Sequence, residues 1–99
     1  MDNLRAFKKN VWYLIGASRG GPMRVKIVKE LMTRPLNSNQ LSERLKVDYK
    51  TIRHRLEVMQ KNNWITSGKE KYGSLYFTAF TEEEKQVFEE IWNKIGKKL

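Results

Sequence analysis

The chain contains no cysteine, which removes disulfides, cysteine-bound zinc and thiol nucleophiles together, as a reducing compartment permits. It has one histidine, His54, and one histidine without cysteine or a second histidine does not build a usual transition-metal site. No metal and no cofactor are expected. No apolar run approaches the ~20 residues of a membrane span, and no signal-peptide core precedes Lys8 and Lys9. The sequence therefore reads as soluble and cytoplasmic, with no membrane partner. Proline occurs only at Pro22 and Pro35, so few positions are barred from helix. Acidic side chains are also scarce, 11 against 20 basic ones, and a net charge of +9 favours a polyanionic partner over an acidic small substrate. Five of the acidic residues fall after residue 80, three of them in the run Glu82 to Glu84. Adjacent helical positions point in different directions, so this run is no carboxylate pair for acid/base work. With no nucleophilic constellation either, the chain is not expected to be an enzyme.

What is present is helix-forming and short. Ninety-nine residues make a single domain, 1–99, whose fold buries ~60–70 % of the surface of its unfolded chain. From Asn3 to Ile15, Leu4, Phe7, Val11, Leu14 and Ile15 recur at helical spacing, with Trp12 and Tyr13 widening the stripe. Gly16 and the run Ser18 to Pro22 break this helix. A second helix carries Val25, Ile27, Val28, Leu31 and Met32 and ends before Pro35, which disfavours helix at Arg34. Leu36 suits a very short strand.

The next stretch organises the rest. Asn37 followed by Gln40 is an asparagine variant of the capping box, opening a helix with Leu41 and Leu45 on its apolar side. Lys46 and Val47 leave room only for a sharp helix-turn-helix crossing, with Val47 as its apolar plug. Asp48 is a good N-cap for a helix that places Ile52, Leu56 and Met59 on one core stripe. Its other side carries Lys50, His54 and Lys61, flanked by Thr51, Arg53 and Glu57. After Asn62 and Asn63, the stretches from Trp64 to Lys71 and Leu75 to Phe80 read as a hairpin about a turn at Tyr72, Gly73 and Ser74, with Gly68 suited to a bulge. Thr81 with Glu84 is a second capping box, and the last helix shows Val87, Phe88, Ile91, Trp92 and Ile95 on one face.

The fold class is thus mostly α with a small antiparallel β-hairpin. The order of three helices and a hairpin resembles a winged helix-turn-helix domain, here with additional N- and C-terminal helices: residues 1–19, a core at 20–80, and 81–99. Gly20-Gly21-Pro22, the run Asn37 to Leu41, the run Val47 to His54, Leu56 and Asn63-Trp64-Ile65 resemble the archaeal-type winged helix-turn-helix regulators related to the ArsR family. The resemblance is most specific from Asp48 to Leu56 and weaker in the terminal helices. It implies a homodimeric transcription regulator that binds double-stranded DNA. Its reader helix would enter the major groove, its hairpin wing would lie on the backbone or minor groove, and its terminal helices would pair the protomers.

Carried onto this chain, the groove-facing start of the reader helix falls on Tyr49, Lys50, Thr51, Arg53 and His54, and the wing tip on Lys69 to Ser74, including Lys71 and Tyr72. Arg53 and Lys50 have donors either for guanine O6 and N7 or for phosphates. Arg55 lies beside the core stripe and suits an ion pair or a phosphate. Tyr72 either touches the nucleic acid or packs on its own strands. Leu4, Phe7 and Val11 of the first helix, with Phe88, Ile91, Trp92 and Ile95 of the last, are the candidate dimer surface. The competing reading is an interaction module whose winged helix docks a protein or structured RNA.

Overall fold

A computed structural model describes residues 3–16, 20–68 and 74–95 of the chain. Seven elements follow in order: α1 (Asn3–Gly16), α2 (Gly21–Thr33), α3 (Ser38–Leu45), α4 (Tyr49–Lys61), β1 (Ile65–Ser67), β2 (Tyr76–Thr78) and α5 (Glu82–Ile95). They form two compact units, residues 1–25 with 80–99, and residues 26–79, the boundary falling inside α2.

In the first unit α1 and α5 pack on each other. Val11, Phe88 and Ile91 are fully buried, and Phe80 joins them through an edge-on contact with Phe7 at 5.0 Å and a tilted one with Phe88 at 5.8 Å. Such aromatic pairs add to what area burial alone provides. The start of α2 comes so close to α1 that a side chain at Gly21 would overlap the backbone carbonyl of Ile15. Only glycine lacks the interfering carbon. α5 begins as its sequence indicates: Glu84 N–H donates to Thr81 Oγ1 at 3.1 Å, and Thr81 N–H to Glu84 Oε1 at 2.9 Å.

In the second unit the interior is built from Ile27, Val28, Leu31, Leu36, Leu41, Ile52, Leu56, Met59, Trp64, Ile65 and Tyr76, all nearly excluded from solvent. The capping box of α3 is complete, with Gln40 N–H donating to Asn37 Oδ1 and Asn37 N–H to Gln40 Oε1, both at 2.8 Å. Arg44 of α3 reaches Glu30 of α2 at 2.7 Å, a part-exposed pair worth at most about 1 kcal/mol. Leu36 forms an isolated antiparallel bridge to Tyr76, so the short strand expected there is a single pairing.

The hairpin differs from the expected one. β1 and β2 have three residues each, with Ile65 opposite Thr78, Thr66 opposite Phe77 and Ser67 opposite Tyr76. Trp64 precedes the ladder because Asn63 stands in the left-handed region (φ 61°), which asparagine tolerates, and Trp64 N–H returns to the Met59 carbonyl at 3.0 Å. That bond closes the end of α4, while the Trp64 carbonyl accepts Ala79 N–H at 2.8 Å, so the pairing of the hairpin reaches back to Trp64 beside the regular ladder. Phe80 is drawn into the first unit instead of extending β2. Gly68 lies beyond β1, its N–H bonded to the Leu75 carbonyl at 3.0 Å.

Candidate nucleic-acid interface

The helix-turn-helix crossing is set by the residue after α3. Lys46 adopts φ 56°, ψ 45°, a left-handed conformation that reverses the chain, and its N–H bonds back to the Ser42 carbonyl. Val47 N–H donates to the same carbonyl at 3.1 Å, and Ser42 Oγ donates to the Val47 carbonyl at 2.5 Å. These bonds satisfy the polar groups of a turn too short to do so by helix alone.

α4 then starts on Asp48. Its carboxylate accepts Thr51 N–H at 3.0 Å and the Thr51 hydroxyl at 2.7 Å. The hydroxyl bond first, then the backbone one, holds the Asp48 carboxyl below its ordinary pKa, because both favour the ionised form. Thr51 is half-buried and its hydroxyl proton is already donated, so its first task is the cap.

Ile52, Leu56 and Met59 are buried, as their spacing requires, and Tyr49, Lys50, Arg53, His54, Glu57 and Lys61 stand exposed. Lys50 and His54, one turn apart, lie on one strip of that face. Arg53 leans toward the hairpin, where Nη1 donates to the Tyr76 hydroxyl over a long 3.4 Å. Arg55 is half-buried, with Nε out of solvent and no hydrogen-bond partner among the described residues, which places it at the margin of the core. Tyr76 is legible in the sequence only as one residue of the Leu75 to Phe80 stretch; its partner lies 23 residues away, and no local pattern encodes that pairing.

The wing-tip residues Lys69, Lys71 and Tyr72 lie outside the described residues. On the hairpin itself Leu75 and Phe77 are exposed. Of the candidate dimer residues, Val11, Phe88 and Ile91 are at most 2 % exposed within a single protomer, so they have no surface to offer a second copy. The physical reason is the packing of α1 on α5, which uses those side chains internally. Leu4, Phe7 and Trp92 are half-buried, and the Ile95 side chain lies outside the described set. The large aromatics that α1 leaves in solvent are Trp12 and Tyr13, 38 % and 64 % exposed. They widen the apolar stripe of α1 without entering the core. Among the described residues no three His, Cys, Asp or Glu side chains gather into a metal-holding cluster, and no helix is long and apolar enough to cross a membrane.

A helix-turn-helix whose second helix stands out beside a two-stranded wing defines a winged helix-turn-helix protein. Residues 21–67 match the family described as "Bacterial regulatory protein, arsR family". The chain is a winged helix-turn-helix protein related to that family. Its fold is similar to that of reduced HlyU from Vibrio cholerae (TM-score 0.69, 20 % identity, 92 % of each chain covered). It is also similar to the transcriptional repressor BigR from Xylella fastidiosa (TM-score 0.71, 14 % identity, 95 % of this chain and 89 % of that one). A homodimeric winged helix-turn-helix DNA-binding domain from Mycobacterium bovis superposes comparably (TM-score 0.69, 12 % identity, 99 % and 90 % covered). No curated protein sequence matches the chain significantly.

Proposed function

We propose that the chain is a sequence-specific, double-stranded DNA-binding transcription regulator that works as a homodimer in the cytoplasm, with α4 in the major groove and the hairpin on the backbone or minor groove. The observation that carries this reading is the division of α4: one side is fixed in the core by Ile52, Leu56 and Met59, and the other presents Tyr49, Lys50, Arg53, His54 and Lys61 to solvent. A helix about 10–12 Å across fits a major groove about 12 Å wide. Tyr49, Lys50 and His54 belong to the first two turns, the part of a recognition helix that approaches base edges. Lys50 supplies donors for guanine O6 and N7, and His54 adds a ring nitrogen one turn on. Sixteen basic residues against six acidic ones in residues 1–80 supply the phosphate attraction that makes such binding salt-dependent.

The homodimer is supported by the description of the Mycobacterium bovis neighbour and by the aromatic surface on α1. A two-fold axis would set two reader helices about 34 Å apart and require inverted half-sites about 10 base pairs centre to centre, or a multiple of that.

The test is selection of bound sites from random duplex, followed by titration of the selected duplex and a scrambled one with wild type, Lys50→Ala and His54→Ala. Each residue that touches a base should lose ~1–3 kcal/mol on the selected duplex and much less on the scrambled one. Wild-type protein that enriches no sequence over competitor would refute the reading.

A further inference from the structure

Arg53 and Gln60 lie seven residues apart on α4, about 10 Å along the axis, and so share a face. Both reach the hairpin. Arg53 Nη1 donates to Tyr76 Oη at 3.4 Å, and Gln60 Nε2 donates to Ser67 Oγ at 3.1 Å. Ser67 and Tyr76 are direct partners in the ladder. A single pair of opposed strand residues therefore holds the reader helix at two points. Tyr76 is itself well anchored: it is 7 % exposed, its N–H donates to the Leu36 carbonyl at 2.8 Å, and its carbonyl accepts Leu36 N–H at 3.4 Å. Arg53, by contrast, is a long, exposed side chain. A buried hydroxyl that holds one end of a long side chain makes a tether. At 3.4 Å the bond is at the long end for N–H···O, so it orients the group more than it stabilises the fold.

Resting on the DNA-binding reading above, we propose that Tyr76 is a positioning residue for Arg53, and that the pair makes Arg53 a clamp on the sugar-phosphate backbone rather than a reader of bases. The tether draws the guanidinium toward the hairpin, the element assigned to the backbone, and away from the first turn of α4. Backbone contacts fix register and orientation and carry no direct sequence information. The bond occupies one of the five guanidinium N–H donors and leaves the others for phosphate oxygens, which arginine binds in a bidentate fork.

The experiment is a double-mutant cycle with Tyr76→Phe and Arg53→Ala, read on the selected and scrambled duplexes over a range of salt. Arg53→Ala should weaken both duplexes equally and lower the salt slope by about one. Tyr76→Phe, which keeps the ring and the strand pairing, should weaken both by about two- to tenfold and have no further effect in the Arg53→Ala background. A loss confined to the selected duplex, or one that persists undiminished without Arg53, overturns the proposal. A DNA-free measurement separates its fate from that of the function: ¹⁵N relaxation at Arg53 Nε should show a restrained side chain in wild type and a freer one in Tyr76→Phe. Equal mobility in the two overturns the positioning role even where duplex binding stands. Failure of wild type to bind duplex would remove the function while the relaxation data still decide the Arg53 and Tyr76 pair.

Discussion

Replacing Lys46 by glycine should stabilise the protein, although lysine is there naturally and makes a good helix surface. Lys46 holds φ 56°, ψ 45°, a conformation that costs a residue with a β-carbon about 1–2 kcal/mol. Glycine removes that cost but loses about 0.5–1 kcal/mol through its greater freedom in the unfolded chain. The difference favours glycine by about 0.5–1 kcal/mol, which for a domain of this size is a rise of about 2–8 °C in Tm. Lys46→Ala is the control, since alanine keeps the β-carbon and the strain while removing the ammonium group. Thermal and urea unfolding should rank Gly above Ala and above wild type, with the urea m value unchanged. The same pair of variants reports on DNA. If the Lys46 ammonium meets a phosphate, both should weaken duplex binding equally and lower the salt slope together, because both lose one charge. A glycine variant no more stable than the alanine one would show that the turn is not held left-handed in solution, and the account of the helix crossing would fall with it.

Three further outcomes follow from named contacts. Asn37→Ala removes the side-chain half of the α3 capping box and should cost about 1 kcal/mol, seen as a drop of about 4–8 °C in Tm; a change of a degree or less would mean that packing alone sets the start of α3. Asp48 has its pKa depressed by Thr51, so the stability it contributes is present above the unfolded value of 3.8 and is lost as pH falls through the lower folded one. Wild type should accordingly exceed Thr51→Val in urea titrations at pH 7, with the gap closing below pH 3.8; a gap that persists in acid would break the link to Asp48. Trp12→Glu with Tyr13→Glu should turn a dimer into a monomer in sedimentation equilibrium at micromolar concentration without lowering the helix content; a dimer that survives both would move the interface off this face of α1.

Local chemistry was legible in the sequence at the starts of three helices. Asn37 with Gln40, Asp48 with Thr51 and Thr81 with Glu84 are all bonded, because a cap is decided by neighbours along the chain. The stripe of Ile52, Leu56 and Met59 was legible for the same reason, and it fixes which side of α4 is left for a partner. The hairpin was read too long. β-propensity favours Phe80 as a strand residue, but it reports only how well a side chain fits a half-buried surface, and here an aromatic contact takes it; Trp64, where the reading began the first strand, is bonded across to Ala79. The anchoring of Arg53 on Tyr76 was not legible at all, since it depends on how two elements meet across 23 residues.

The terminal helices show where reading by period stops. A 3.6-residue repeat identifies which side chains leave water, and Leu4, Phe7, Val11, Phe88, Ile91 and Trp92 do repeat that way, but it does not say whether the partner is the same chain or a copy of it. The criterion that separates the two is residual exposure in the single protomer. Val11, Phe88 and Ile91 fail it, and replacing them by alanine should destabilise the first unit. Trp12 and Tyr13 satisfy it, and they sit on a helix whose described charged residues are the exposed cations Arg5, Lys8 and Lys9. α5 carries Glu82, Glu83, Glu84, Glu89 and Glu90 against Lys85 and Lys94, the opposite sign to α1, and these two helices already pack on each other within one protomer. Charge therefore does not distinguish a copy from the chain itself, whereas a second copy seated on α1 would find its apolar area in the two aromatics. The Trp12→Glu and Tyr13→Glu pair should accordingly speed the separation of two copies, and an unchanged dissociation rate would place the contact elsewhere.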